Sequence, residues 1–342
     1  MSNQPPIEVP QGAIRLNTDS QRLEFFVQDR WYEMATEEAS GLGRRGFRVS
    51  GTGAGATLIE SFNITTLGNS HDTGFDLSTS RGAFGCSASR TRAVICGGNA
   101  PGVSNSNDIQ YFEMTSLSNT IDFGDLTYNA AEAGAHSNNV RLVVTGAASH
   151  ASNVINFLTV ASTGSAQDFG DQANKLSSTT ACGSPTRGLF AGGAIPSIVN
   201  IIEFVTMAST GNSLDFGDLT VARYSAGSGS NNTRGLFIMG NAGSPTNQVN
   251  TIDFVTISST GNAQDFGDSN MDDTGGPTQG AGVAASPNRI VFFGGYITGG
   301  TDRTTEMEYV NPTTRGNSTR FGDLETAQNS DGNALSSSHG GL

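Results

Sequence analysis

The chain has 342 residues, of which 45 are Gly and one is Trp, with 14% charged residues and a formal net charge of −13. A single lysine, Lys175, excludes a large helical domain, since long helices draw on Ala, Leu, Glu and Lys; the acidic balance and scattered arginines set nucleic acid aside as a partner. No apolar run approaches the roughly 20 residues of a bilayer span, and the first residues lack a charged n-region and an apolar h-region, so neither membrane insertion nor a secretory leader is expected.

In chain order, the first predicted element is a β-hairpin. Ala13–Leu16 forms one strand, a polar turn runs through Asn17, Thr18, Asp19 and Ser20, and Leu23–Val27 returns. Phe25, Phe26, Trp31 and Tyr32 give this segment more aromatic surface than about 35 residues can bury alone. The patch is covered either by a partner or by the rest of the chain. Residues 1–35 are therefore read as an attachment and oligomerisation segment, and 36–342 as a second domain.

That second domain repeats. An apolar run ending in Gly recurs at Gly51, Gly98, Gly146, Gly193, Gly240 and Gly295, with spacings of 47, 48, 47, 47 and 55 residues. Each run is followed by an alternating stretch, clearest in Ile201–Met207 and Thr251–Ile257, then by a Ser-Thr-Gly turn in three copies. Next comes Asp-Phe-Gly-Asp or a variant, ending at Asp125, Asp171, Asp218, Asp268 and Asp323, with a degenerate first copy at Thr73–Asp76. A stretch of small residues, such as Ser225–Asn232, leads into the next unit.

Each marker reads as a short strand, being apolar, β-branched or aromatic and bounded by Gly, Ser, Thr and Asn. Four strands in about 47 residues match one blade of a β-propeller, near the length of a kelch-type unit. The small-residue strand suits the crowded axis, and the Gly-Leu-Phe strand the packed layer between blades. The recurring arginine ahead of that layer (Arg45, Arg92, Arg187, Arg234, Arg289) is positioned to pair with the recurring aspartates. Those aspartates are read as structural turn residues whose carboxylates accept backbone N–H groups, so Asp218→Ala is expected to destabilise the fold.

After Leu324 the stretch Ala327–Ser338 matches another innermost strand. The expected fold is all-β, a kelch-like propeller of six four-stranded blades in which this last strand completes the first blade. The alternative is that residues 36–44 supply that strand, or that a seventh composite blade includes the N-terminal segment.

The repeat, with Ser-Thr-Gly-Asn-Ala-Gln-Asp-Phe-Gly-Asp at Ser259–Asp268 as its most specific copy, resembles kelch-like propellers in structural proteins of tailed bacteriophages, particularly cyanobacterial and other marine phages. Gly12–Met34 is similar to a short element of phage tail-fibre and other virion proteins, with Gly-Ala-Ile-Arg, Asn-Thr-Asp, Leu-Glu and then aromatics. Together these resemblances imply a virion protein displayed on the particle exterior, joined to other virion proteins through residues 1–35, homo-oligomeric, and presenting loops to a host-surface glycan or receptor. Capsid decoration and a polysaccharide depolymerase on the same scaffold are the alternatives.

The sequence offers no catalytic, cofactor-binding or metal-binding set, so no enzyme activity and no cofactor are expected. His71, His136, His150 and His339 lack metal-ligand spacing and read as surface or turn residues. Cys86, Cys96 and Cys182 read as buried free thiols, the alternative being a Cys86–Cys96 bridge across a hairpin. Gly51–Gly55 has no helical pattern after it and reads as a turn. Asp268, Asn270 and Asp272 begin like a calcium loop, but position 6 is Asp273 and position 12 is Gln279, which leaves an acidic surface loop. Loops at Asn99–Asn107 and Ala242–Asn247 are further exposed candidates for binding.

Overall fold

The computed structural model describes residues 9–17, 22–27, 30–33, 44–49, 57–103, 105–146, 152–194, 196–243, 247–271, 278–297, 304–326 and 333–342. The chain divides into two compact units, Met1–Gly41 and Leu42–Leu342.

The first unit is a three-stranded antiparallel meander of Ile14–Asn17, Arg22–Val27 and Arg30–Glu33. The sequence predicts its first two strands. The third forms because Val27 pairs directly with Arg30, leaving the two-residue connection that favours immediate reversal.

The second unit is a six-bladed β-propeller. Each blade is an antiparallel sheet of four strands in chain order from the axis outward, as in blade 4 with Thr180–Gly183, Arg187–Ala191, Ile201–Thr206 and Leu214–Asp218. Blade 1 is the exception in chain order. Its innermost strand is Asn333–Ser336, which pairs with Arg45–Val49 ahead of Leu58–Asn63 and His71–Asp76. The innermost strands of all six blades neighbour one another in a closed ring, with Asn333–Ser336 between Gly85–Ala88 of blade 2 and Gly282–Ala285 of blade 6. This is the closure by the last strand. The seven-blade alternative falls because the C-terminal strand occupies the place beside Arg45–Val49.

The blades hold together through one apolar cluster per interface. The second strand feeds two of them by simple alternation: in Arg234–Ile238, Leu236 and Ile238 pack toward blade 6, while Phe237 packs toward blade 4. Both faces of each sheet are thus buried, which no single blade of this size achieves.

The outermost strands are built around a bulge. In blade 4 the register of Ile201–Thr206 against Leu214–Asp218 shifts between Ile202 and Glu203, so Phe216 has no opposite residue and turns inward. Its ring meets that of Phe204 edge-on at 5.9 Å, and the Arg187 guanidinium lies 4.7 Å from the Phe204 centroid. The same trio recurs with Arg92, Tyr111 and Phe123, and with Arg234, Phe254 and Phe266.

Blade joins to blade along the outer rim by a repeated ladder. Gly261 N–H donates to the Phe216 carbonyl at 2.7 Å, Asp218 N–H to Asn262 Oδ1 at 3.1 Å, and Ala263 N–H to the Asp218 carbonyl at 2.7 Å. Gly217 has φ +146, and a Cβ on it would lie 2.5 Å from the Gly261 carbonyl group. Glycine is required at this position by both conformation and proximity. The ladder also covers the exposed edge of each outermost strand.

Candidate functional site

The recurring aspartates lie at these blade junctions, and their main chains, more than their carboxylates, hold the fold. Asp171, Asp218, Asp268 and Asp323 each end an outermost strand, and Asp125 lies within Ile121–Ala130. Their N–H groups donate to a side chain of the following blade: Ser165, Asn212, Asn262, Asn317 and Asn69 for Asp125, Asp171, Asp218, Asp268 and Asp323. Where a carboxylate caps the glycine turn it is the first aspartate of the motif, as with Asp168 accepting from Gly170 N–H at 3.0 Å. Among the described residues the Asp218 carboxylate takes no hydrogen-bond partner.

The recurring arginines do not pair with these aspartates. Arg92, Arg187, Arg234 and Arg289 each donate to a carbonyl of the next blade, at Val160, Ile257, Pro312 and Ile64, over 2.8 to 3.0 Å. Arg141 does the same to Met207, whereas Arg45 lies 5.9 Å from the Phe47 ring centroid. The arginine therefore clips neighbouring blades together while covering an aromatic face.

A third repeated position emerges inside the sheet. Glu60, Gln110, Asn156, Glu203, Asp253 and Glu308 occupy the same place in the third strand, and all are buried. Asp253 accepts from Thr220 N–H at 3.0 Å, Thr220 Oγ1 at 2.7 Å and Arg223 Nη2 at 2.9 Å. Glu203 accepts from Ser213 Oγ, Ala173 N–H and Asn174 Nδ2. These side chains latch the segment arriving from the preceding blade. Burying a charge is costly unless it is fully bonded, which accounts for the number of donors at each.

At the axis, the segments entering the innermost strands enclose a cavity of about 410 Å³. Ala83, Glu132, Ser178 and Ser225 stand at equivalent places around its mouth, each with a φ between 50 and 55°, and Gly280 takes the fifth place with φ 72. Their main chains link blade to blade: Ser225 N–H donates to the Ser178 carbonyl at 3.0 Å and Gly280 N–H to the Ser225 carbonyl at 2.7 Å. Ser178 Oγ donates to Glu132 Oε2. Tyr224, Gln279 and Asn333 add to the polar lining, with Ser177, Thr179, Thr180 and Ser228, while Ala133, Ala135, Ala181 and Ala226 contribute apolar surface.

Candidate binding loops from the sequence reach this same end. Asn99 bridges to Gly82, Asn241 bridges to Tyr224, and Asn241 Nδ2 donates to Gln279 Oε1 at 2.7 Å. The eight-residue excess of the last repeat leads into Thr278–Gln279, which pairs with Tyr296–Ile297. Residues 272–277 of the acidic loop, the Gly51–Gly55 run and His150 lie outside the described residues.

The opposite end of the axis is closed by the chain's last residues. His339 Nε2 contacts the Ala88 carbonyl at 2.6 Å, and Ser338 Oγ donates to the Ala285 carbonyl at 3.3 Å. Gly340 and Gly341 lie so close to the Gly183, Asn231 and Ser137 carbonyls that a Cβ on either would collide with them. The His339 ring meets that of His136 at 5.8 Å, so two histidines read as surface residues are instead brought together inside. Burial lowers His136 to about 3, with His339 adding to the effect, and lowers His339 to about 4. His71 is exposed at the start of an outermost strand.

Cys86, Cys96 and Cys182 are free and buried, and burial pushes Cys96 and Cys182 up to about 12. Thiols so placed are poor nucleophiles. Among the described residues no group of three or more His, Cys, Asp or Glu side chains is arranged to hold a metal.

In the N-terminal unit, Phe26 and Trp31 are cross-strand neighbours with ring centroids 5.2 Å apart. Arg15 lies 4.1 Å from the Trp31 ring and pairs with Glu24 at 2.7 Å. Phe25 is opposite both Ile14 and Tyr32 in register, which puts all three positions on the other face. Ile14 and Leu16 on that face are 62% and 59% exposed.

Fold and cavity together define the class: a six-bladed β-propeller with a pocket at one end of its axis and a plug at the other. No family model matches the chain, and no curated protein matches it.

Proposed function

We propose that the chain is a non-enzymatic structural protein of a tailed-bacteriophage particle. It joins other virion proteins, and copies of itself, through the N-terminal sheet, and displays its kelch-like propeller on the exterior for attachment to a host-surface glycan. The observation that carries this reading is the N-terminal sheet. Its sequence is the element that resembles phage tail-fibre segments, and one face of it leaves Ile14 and Leu16 exposed beside the Phe25 and Tyr32 positions. Exposed apolar surface rimmed by polar groups is characteristic of an interaction site.

The propeller suits display. Charged residues make up 14% of the chain against a usual 25% or so, which makes the cleavage points of trypsin-like proteases, 18 Lys and Arg in 342 residues, sparse, and the ring closed by Asn333–Ser336 has no free end strand. Binding is favoured over cleavage because Glu132 is the sole carboxylate lining the axial cavity among the described residues, whereas glycoside hydrolysis generally takes two. Mass spectrometry of density-banded particles from the encoding phage tests the reading. The chain is expected at stoichiometry with known structural proteins; its absence from washed particles, with abundance in the lysate, overturns the proposal.

A further inference from the structure

We propose that the axial cavity is a saccharide site, taking one or two rings of an uncharged sugar through Glu132, Tyr224 and Gln279. The inference rests on the host-surface reading above and places recognition on the propeller axis.

The volume, about 410 Å³, lies in the range of small-ligand pockets, about 300–1,000 Å³. The tail through His339 and Gly341 closes the far end, so the space is a pocket with one entrance. Its mouth breaks the repeat. The left-handed turn recurs at Ala83, Glu132, Ser178 and Ser225 and so belongs to the scaffold, but the side chains mounted on it differ. The residue ahead of that turn is Gly82 in blade 2, Ala131 in blade 3 and Ser177 in blade 4, against Tyr224 and Gln279 in the last two blades. A scaffold needs no such asymmetry, since the smaller residues close the same turn. An asymmetric ligand does.

The polar groups are of the kind that reads hydroxyls. Ser178 occupies one oxygen of Glu132 and leaves Oε1 as an acceptor. Asn241 occupies Gln279 Oε1 and thereby turns the amide Nε2 toward donation. Tyr224 lines the cavity; its hydroxyl can both donate and accept, and an aromatic ring offers a flat face to sugar C–H groups. Alanines from three blades, Ala133, Ala135, Ala181 and Ala226, supply apolar contact. Charge narrows the class: Glu132 is the only charged side chain lining the cavity among the described residues, and the chain carries a net charge of −13. Sialylated, sulfated or phosphorylated sugars are repelled, and neutral ones are accepted.

The test uses the full chain on an array of neutral and anionic glycans, followed by titration calorimetry with the best neutral mono- or disaccharide. Glu132→Gln, Gln279→Ala, Tyr224→Ala and the gentler Tyr224→Phe are compared with Thr210→Ala, an exposed control in the outer Ser209–Gly211 turn, and melting curves verify folding. Binding of a neutral glycan that Glu132→Gln and Tyr224→Ala weaken tenfold or more, with Thr210→Ala unchanged, is the expected result. A bound glycan indifferent to the axial substitutions overturns the axial site and leaves the host-surface reading standing. An array that captures only anionic glycans, or none, also overturns it. Membership of the particle is judged separately, by the labelling described below.

Discussion

Two glycine substitutions separate backbone strain from blade contact. Gly217 and Gly261 have nearly the same φ, +146 and +153, yet a Cβ on Gly261 meets nothing within 4 Å while one on Gly217 lies 2.5 Å from the Gly261 carbonyl. Alanine at either site is strained by a conformation that L residues rarely adopt, at a cost of at least about 1 kcal/mol. Alanine at Gly217 must also push blade 5 away from blade 4. That loosens the three rim hydrogen bonds made by Gly261, Asp218 and Ala263, each contributing about 0.5–1.5 kcal/mol, for an extra loss of about 1.5–4.5 kcal/mol. An unfolding entropy of about 2.1 cal/mol/K per residue over roughly 300 residues converts 1 kcal/mol into about 1.6 °C. Gly217→Ala is therefore expected to melt about 2–7 °C below Gly261→Ala when both are followed by calorimetry. Coincident melting curves would refute the claim that the close glycine contact holds neighbouring blades together.

Three other outcomes follow from the same geometry. Asn262→Ala removes the acceptor of Asp218 N–H and is expected to lose about 1 kcal/mol, whereas Asp218→Ala should stay within about 0.5 kcal/mol of the parent; denaturant titration that reverses this order contradicts the ladder. Asp253→Ala strands the buried Arg223 guanidinium and should cost about 3–5 kcal/mol, most of it recovered when Arg223→Met is added and the charge is gone. A double variant no better than the single one would show that the ion pair is not the cause. His136 and His339 are held neutral by burial, at about 3 and about 4 in the folded chain against about 6.5 unfolded. Between roughly pH 6.5 and 4 the unfolded chain binds the extra protons, so stability falls as pH falls, by up to about 1.4 kcal/mol per pH unit for each histidine. His339→Gln should flatten part of that slope and leave stability above pH 7.5 without pH dependence from this pair; identical pH profiles for the two proteins would exclude the histidines as its source.

The blade repeat is legible in the sequence because each strand is short, alternating and punctuated by glycine. Closure is legible because Asn333–Ser336 carries the small residues that only the axis calls for. What escapes the sequence is contact between distant side chains and main chain. Arg187 meets the carbonyl of Ile257, 70 residues away, and a carbonyl has no residue type by which to be recognised. The recurrent aspartate looks like the natural partner of that arginine, but it is used for its main chain. Glu203 and Asp253 look like the solvated positions of half-exposed strands, yet a propeller blade is buried on both faces, so each becomes a latch inside the sheet. His136 and His339 meet only because the tail returns to the axis. The pocket escapes for a related reason: its mouth draws on one or two residues from each of several repeats, and none is conspicuous within its own unit.

Immunogold electron microscopy of purified particles of the phage proposed to encode the chain, with antibody against the propeller, tests the central proposal most directly. Gold at the tail tip or fibres is the predicted result. Gold over the capsid contradicts host attachment and makes the chain a decoration protein, and bare particles with an accessible epitope contradict its place in the virion altogether.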